Sequence, residues 1–266
     1  MHRLLSLNDI SAIAHRGGSK LRPENTAPAF DHAAMLGVDG FECDVHLSRD
    51  GVPVVIHDPT LDRTTNATGP VHGLTAAELA GVDAGHRFNA AAGFPFRGRA
   101  GGVPRLADLL CAHRDRAWII EIKGDRPETA EATLDVILEC DAARRVIVGG
   151  FCQAVIDVVR RREPTIVTSA SRDEVEIAMG RVRAGHSPVP SGYRLFQVPL
   201  RLEGQQTLHR PFVEAARRAG LAVQAWIVDE ASDMDMLVEW GVTGLISDRP
   251  DVAVGHVERY HARHDG

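Results

Sequence analysis

Eight short apolar runs recur along the chain, at 13–15, 40–45, 118–122, 146–149, 166–168, 195–198, 222–228 and 244–247, with helically spaced stretches between them. Repeated strand–helix units produce this alternation, because a parallel strand reaches its neighbour only through a crossover. Ala130, Leu134, Ile137 and Leu138 are expected on one helical face, as are Leu208, Phe212, Ala215, Ala216 and Ala219. Gly220, after Arg217 and Arg218, reads as a helix stop. A ninth run, 52–56, is joined to its predecessor only by Ser48-Arg49-Asp50-Gly51. So short a link makes a hairpin, which predicts an antiparallel excursion on the rim. Eight parallel strands remain, the count of a closed (β/α)8 barrel.

Residues from about 59 to 104 interrupt the rhythm with Gly69, Gly73, Gly81, Gly85, Gly93, Gly98, Gly101 and Gly102. Leu74, Leu79, Val82, Phe88, Phe94 and Phe96 supply apolar anchors, and Thr75-x-x-Glu78 has the spacing of a capping box. The stretch is therefore expected as an ordered insertion beside the mouth of a single domain spanning 1–266. Residues 256–266 read as a polar, frayed tail.

With 266 residues, 44% of them apolar, the chain can bury a sizeable core. A formal charge of -6 offers no bulk attraction for nucleic acid or an anionic membrane, so an anionic substrate must be caught locally. Cys43, Cys111, Cys140 and Cys152 form no C-x-x-C pair and are expected as reduced core thiols of a cytoplasmic protein. Leu4, Leu5 and Leu7 soon meet Asn8 and Asp9, too short a run for a signal sequence, and no run approaches the length of a membrane span.

Four of the strand runs end in charge. Ile13-Ala14 leads into His15-Arg16, Phe41 into Glu42-Cys43-Asp44, Val54-Val55-Ile56 into His57-Asp58, and Trp118-Ile119-Ile120 into Glu121-Ile122-Lys123. A buried charge is costly unless paired or metal-bound, so these groups are expected to meet at one mouth. Glu42 and Asp44, at i and i+2, share a strand face; with Glu121 they make a hard-oxygen set suited to Mg²⁺ or Ca²⁺. A hydrogen-bonded strand end would show the same spacing. His15 and His57 can divide acid and base work. Arg16 and Lys123 bring two positive charges beside the carboxylates, as phosphate binding requires, although Lys123 could equally neutralise Glu121. Trp226, near a strand end, walls the pocket or fills the core. Gly17-Gly18 and Gly149-Gly150 lack nucleotide-loop spacing and read as rim turns.

Taken together, His15-Arg16-Gly17, Pro23-Glu24-Asn25-Thr26, Glu42-x-Asp44-Val45, Asp50-Gly51-x-Pro53-Val54-Val55-Ile56-His57-Asp58, Leu61-Asp62-Arg63-Thr64-Thr65, Glu121-Ile122-Lys123 and Gly244-Leu245-Ile246-Ser247-Asp248-Arg249-Pro250 resemble the glycerophosphodiester phosphodiesterases, in family order over residues 13 to 250. The resemblance implies a TIM-barrel hydrolase in which Glu42, Asp44 and Glu121 hold a divalent cation, commonly Mg²⁺ or Ca²⁺. It also implies His15 and His57 as acid and base, and Arg16 and Lys123 on the phosphate. The chain departs from the family run at Trp226-Ile227-Val228-Asp229, at Gly150-Phe151 and at Pro104-Arg105-Leu106, positions that bear on the alcohol recognised.

The expected reaction is hydrolysis of a small glycerophosphodiester to glycerol 3-phosphate and an alcohol, without nucleic acid or stable membrane association. Two alternatives stand beside it. One is a lysophospholipase D or sphingomyelinase D-like enzyme using an apolar groove at Phe88, Phe94 and Phe96; the other is a catalytically silent scaffold barrel.

Overall fold

A computed structural model describes residues 3–264. Its order is β1 (Ser11–His15), α1 (Ala27–Leu36), β2 (Gly40–Leu47), β3 (Pro53–Val55), α2 (Ala76–Ala80), α3 (Leu106–Ala112), β4 (Ala117–Ile122), α4 (Pro127–Glu139), β5 (Val146–Gly149), α5 (Gln153–Arg162), β6 (Val167–Thr168) and α6 (Arg172–Arg183). There follow β7 (Leu195–Pro199), β8 (Arg201–Leu202), β9 (Gln205–Gln206), α7 (Arg210–Arg218), β10 (Ala222–Trp226), α8 (Ala231–Trp240), β11 (Gly244–Ser247) and α9 (Pro250–His264). Eight strands run parallel in the order β6-β5-β4-β2-β1-β11-β10-β7. The ring closes through one bridge, Ser169 to Leu195, flanked by bonds from Ala170 N to Leu195 O (2.9 Å) and from Arg194 N to Thr168 O (3.1 Å). This is the (β/α)8 TIM barrel that the alternation predicts.

β3 pairs antiparallel with β2, Val45 opposite Val55 and Leu47 opposite Pro53, as the short Asp-Gly link requires. The hairpin of β8 and β9 was not foreseen, because its strands have two residues each and are exposed. Within 59–104 the Thr75 capping box opens α2, and Leu79 is fully buried. Phe88 and Phe96 meet edge to face at 5.6 Å, while Arg97 covers Phe94 at 3.9 Å and Arg22 lies over Phe96 at 5.4 Å.

Two expectations about helices need correction. Leu138 is exposed, since α4 turns Thr129, Ala130, Thr133, Leu134 and Ile137 inward, and the buried face passes Leu138 by. Residues 256–264 continue α9 rather than fray, with His256 and Val257 buried against the barrel; residues 265–266 lie outside the described part. Among the described residues, no helix is long and apolar enough to cross a membrane.

The barrel interior positions the site. Leu4, Ile13, Ala117, Ile119, Ile147, Leu195, Ala222 and Ile246 form an apolar plug. Leu4 seals its floor close against Gly40, where an added Cβ would come within 3.0 Å of Leu4 Cδ1. Strand side chains repeat every two residues, so each strand's next inward position stands above this plug. Those positions include His15 on β1, Glu121 on β4 and, beyond β11, Asp248.

Candidate active site

The same period brings the charged groups together. His15 is in register with Glu42 across β1 and β2, and Asp44 with Glu121 across β2 and β4. One oxygen from each of Glu42, Asp44 and Glu121 lies within 4.8 Å of the others. Gly17 and Gly18 then turn the chain sharply after Arg16, at φ +80° and +95°. A Cβ on Gly17 would sit 2.7 Å from that of Ala29, so only glycine lets α1 pack this close.

Crowding three acids in a dry mouth has electrostatic consequences. Burial, reinforced by the charge of Asp44, pushes Glu42 up to about 8. Burial also raises Glu121, in spite of Lys123. Asp44 goes the other way: burial works against its ionisation, but Lys123 and Arg16 outweigh it and hold the carboxyl below its ordinary range. Lys123 Nζ stands 2.8 Å from Asp44 Oδ1 and 2.5 Å from Glu121 Oε1, and Arg16 Nε stands 3.2 Å from Asp44 Oδ2. The backbone N–H of Arg16 donates to Glu42 Oε2 at 3.1 Å.

Both imidazoles face this cluster, and each is fixed through Nδ1 by an aspartate. His15 Nδ1 lies 2.6 Å from Asp248 Oδ1, leaving Nε2 toward Glu42 Oε2 at 3.8 Å. Burial opposes the imidazolium, but Asp248 and Glu42 prevail and raise the His15 pKa above its usual value. Asp248 is itself set by Asp229, whose Oδ1 accepts from Asp248 N at 2.8 Å and from Ser247 Oγ at 2.8 Å. Lys20 Nζ balances Asp229 at 2.8 Å. His57 Nδ1 lies 2.6 Å from Asp58 Oδ1, and its positive form would help to hold Asp44 ionised.

Arg63 ties the insertion to both sides of the mouth. Its guanidinium donates to Asp58 Oδ2 (2.6 Å) and Oδ1 (3.0 Å), and to Glu24 Oε2 (2.7 Å) and Oε1 (2.8 Å). Glu24 Oε1 accepts in turn from Arg16 Nη1 at 2.9 Å. The hydrogen bonds from Arg63 hold Asp58 down to about 2. A continuous chain therefore runs from His57 through Asp58, Arg63 and Glu24 to Arg16.

Every residue expected from sequence to form the site reaches this end of the barrel. Trp226 ends β10 half-buried at the top of the interior, 6.3 Å ring to ring from the exposed Phe151. Asp248, Asp229, Arg63, Glu24 and Asn25 were not assigned roles from the residues themselves. Asp248 had a signal, since it ends the apolar run 244–247 as His15 ends 13–14. Arg63 and Glu24, 39 residues apart in loops, had only their place in two of the motifs that carry the resemblance, which says nothing of their pairing.

The donor set suits a hard cation: three carboxylates converge, and burial together with the charge of Asp44 raises the pKa of one of them, Glu42. Asn25, 3% exposed, donates from Nδ2 to Asp44 Oδ2 at 2.8 Å. Its Oδ1 has no hydrogen-bond partner among the described residues. Surplus acid and a spare buried oxygen together fit a site completed by a divalent ion.

Comparison with known proteins places this geometry. Residues 15–252 match the model of the glycerophosphoryl diester phosphodiesterase family. The glycerophosphodiester phosphodiesterase of Caldanaerobacter subterraneus subsp. tengcongensis is 34% identical over 260 residues, covering 93% of this chain and 97% of that protein. The glycerophosphoryl diester phosphodiesterase domain of a Mycobacterium tuberculosis protein superposes with a TM-score of 0.82 at 24% identity, over 93% of this chain and 98% of that one. An Oleispira antarctica phosphodiesterase, solved in complex with the product sn-glycerol-3-phosphate, gives a TM-score of 0.75 at 22% identity, over 92% and 96% of the two chains.

Proposed function

The chain belongs to the glycerophosphoryl diester phosphodiesterase family and is a glycerophosphodiester phosphodiesterase; from that premise we propose that His15 and His57 are its acid and base, working beside a divalent cation held by Glu42, Asp44 and Glu121. The convergence of those three carboxylates within 4.8 Å, in register with His15, carries the reading. A cation of the Mg²⁺ or Ca²⁺ kind would supply charge to the phosphoryl oxygens and acidify a bound hydroxyl.

The chain's own groups do the rest. One imidazole accepts the proton of the attacking hydroxyl, whether of water or of the glycerol 2-position, and the other returns a proton to the departing alkoxide. With Nδ1 engaged by Asp248 or Asp58, each presents Nε2 to substrate. Proton transfer of this type contributes about 10²- to 10⁴-fold in rate. Arg16 and Lys123, now paired with Asp44 and Glu121, turn to the phosphate when it arrives.

A small water-soluble diester is the substrate this site favours. The Oleispira enzyme binds sn-glycerol-3-phosphate, the product that such a diester would release. A lipid substrate would need an open apolar groove, whereas Phe88, Phe94 and Phe96 are half-buried and engaged with one another or with arginines. The net charge of -6 supports neither nucleic acid nor an anionic membrane as partner, and four unpaired thiols support action in the cytoplasm.

The test is hydrolysis of glycerophosphocholine with and without EDTA, in the wild type and in His15→Ala and Glu42→Ala. Chelation and either substitution should each abolish turnover beyond about 10²-fold. Unchanged hydrolysis in a folded variant removes that residue from the mechanism. Faster turnover of lysophosphatidylcholine would replace the substrate choice.

A further inference from the structure

Two cysteines meet outside the active site. Cys111 lies in the last turn of α3, Cys140 caps the end of α4, and their sulfurs are 3.6 Å apart. Helices in this fold run back against the strands, so both helix ends sit at the face opposite the mouth. The expectation of core thiols fails at Cys111, which is exposed, whereas Cys140 is buried.

The two sulfurs also differ in environment. Cys111 is open to a solution oxidant, with Arg114 Nη2 3.8 Å from its Sγ. Cys140 also approaches Ala107 O at 3.8 Å, and burial together with the Cys111 contact pushes its thiol up to about 11. An accessible sulfur touching a shielded one is the arrangement that separates attack from resolution in thiol–disulfide exchange.

We propose that Cys111 and Cys140 are a site of reversible thiol oxidation, closing an intrachain disulfide on reaction with a small-molecule disulfide of the oxidised glutathione class. The Cys111 thiolate attacks one sulfur of the oxidant, forming a mixed disulfide and releasing one small thiolate. Cys140 then gives up its proton and displaces the second small thiol, closing the protein disulfide. Two protein thiols are oxidised and one small disulfide is reduced to two thiols. Bond formation asks for about 1.5 Å of approach between the sulfurs.

The 266-residue chain, incubated under native conditions with oxidised glutathione, provides the test by intact mass and peptide mapping. The wild type should lose two hydrogens, show one cross-linked peptide pair joining Cys111 to Cys140, and revert with dithiothreitol. Cys140→Ser should stop at a glutathione adduct on Cys111, and Cys111→Ser should leave Cys140 unmodified. A wild type that keeps the adduct without the cross-link, stays unmodified, or links through Cys43 or Cys152 would overturn the proposal. Because the readout is a covalent bond at the far face, it does not depend on the catalytic reading.

Discussion

Burial and the charge of Asp44 both oppose the Glu42 carboxylate and push its pKa up to about 8. Its folded pKa thus lies above the ordinary value of 4.5, and between these limits the folded state binds more protons than the unfolded one. Stability contributed through Glu42 falls as pH rises across that window. A cation bound there reverses the loss at the alkaline end, but at the acid end it must first displace the proton. The ionised fraction of Glu42 drops roughly 50-fold from pH 8 to pH 6, so Mg²⁺ affinity is expected to weaken by about that factor. Isothermal titration calorimetry at pH 6, 7 and 8.5 checks this, with Glu42→Gln reducing the dependence to what Glu121, also raised by burial, contributes. A pH-independent affinity in the wild type would mean that the ion displaces no proton from Glu42.

At the scale of elements, the notable contact is between the insertion and the strands. Asp58 follows β3, Glu24 follows β1, and Arg63 belongs to neither, yet its guanidinium holds both carboxylates with paired bonds. Arg63→Gln is expected to release Asp58, and with it the His57 ring, lowering kcat about 10- to 100-fold with KM changed less than about threefold. Lys should rescue poorly, since an ammonium cannot span two carboxylates with a planar fork. Steady-state kinetics beside thermal unfolding separates the cases: a folded variant with unchanged kcat would show that the clamp does not position His57. The barrel and the convergence of charge at its rim were legible in the sequence because a charge that ends an apolar strand can be seen within a few residues. The clamp was not, because what joins Glu24 to Arg63 is loop geometry, and no period or spacing encodes it. The β8–β9 hairpin escaped for a related reason: four exposed residues leave no hydrophobic alternation to read.

For the whole molecule, strength of pairing and placement of chemistry coincide. β2 and β4 share six registered residue pairs, and together with β1 they carry His15, Glu42, Asp44 and Glu121. The opposite arc is thin: β6 has two residues, pairs with β5 at two positions, and meets β7 through one bridge. A barrel buries no edge until it closes, so the segment with fewest ladder bonds is the one where local opening costs least. Amides of Ala170 and Arg194, which donate across this seam, should therefore exchange with deuterium at least about 100-fold faster than those of Phe41 to Val45. Adding saturating Mg²⁺ should slow exchange further in β2 and β4, where the proposed ligands stand, and leave the seam nearly unchanged, because an ion stabilises only openings that release it. Hydrogen exchange read by mass spectrometry with and without the cation measures both effects. Equal protection around the ring would mean that closure is as strong as the rest of the sheet. Protection gained at the seam alone would place the ion on the other arc, away from Glu42, Asp44 and Glu121.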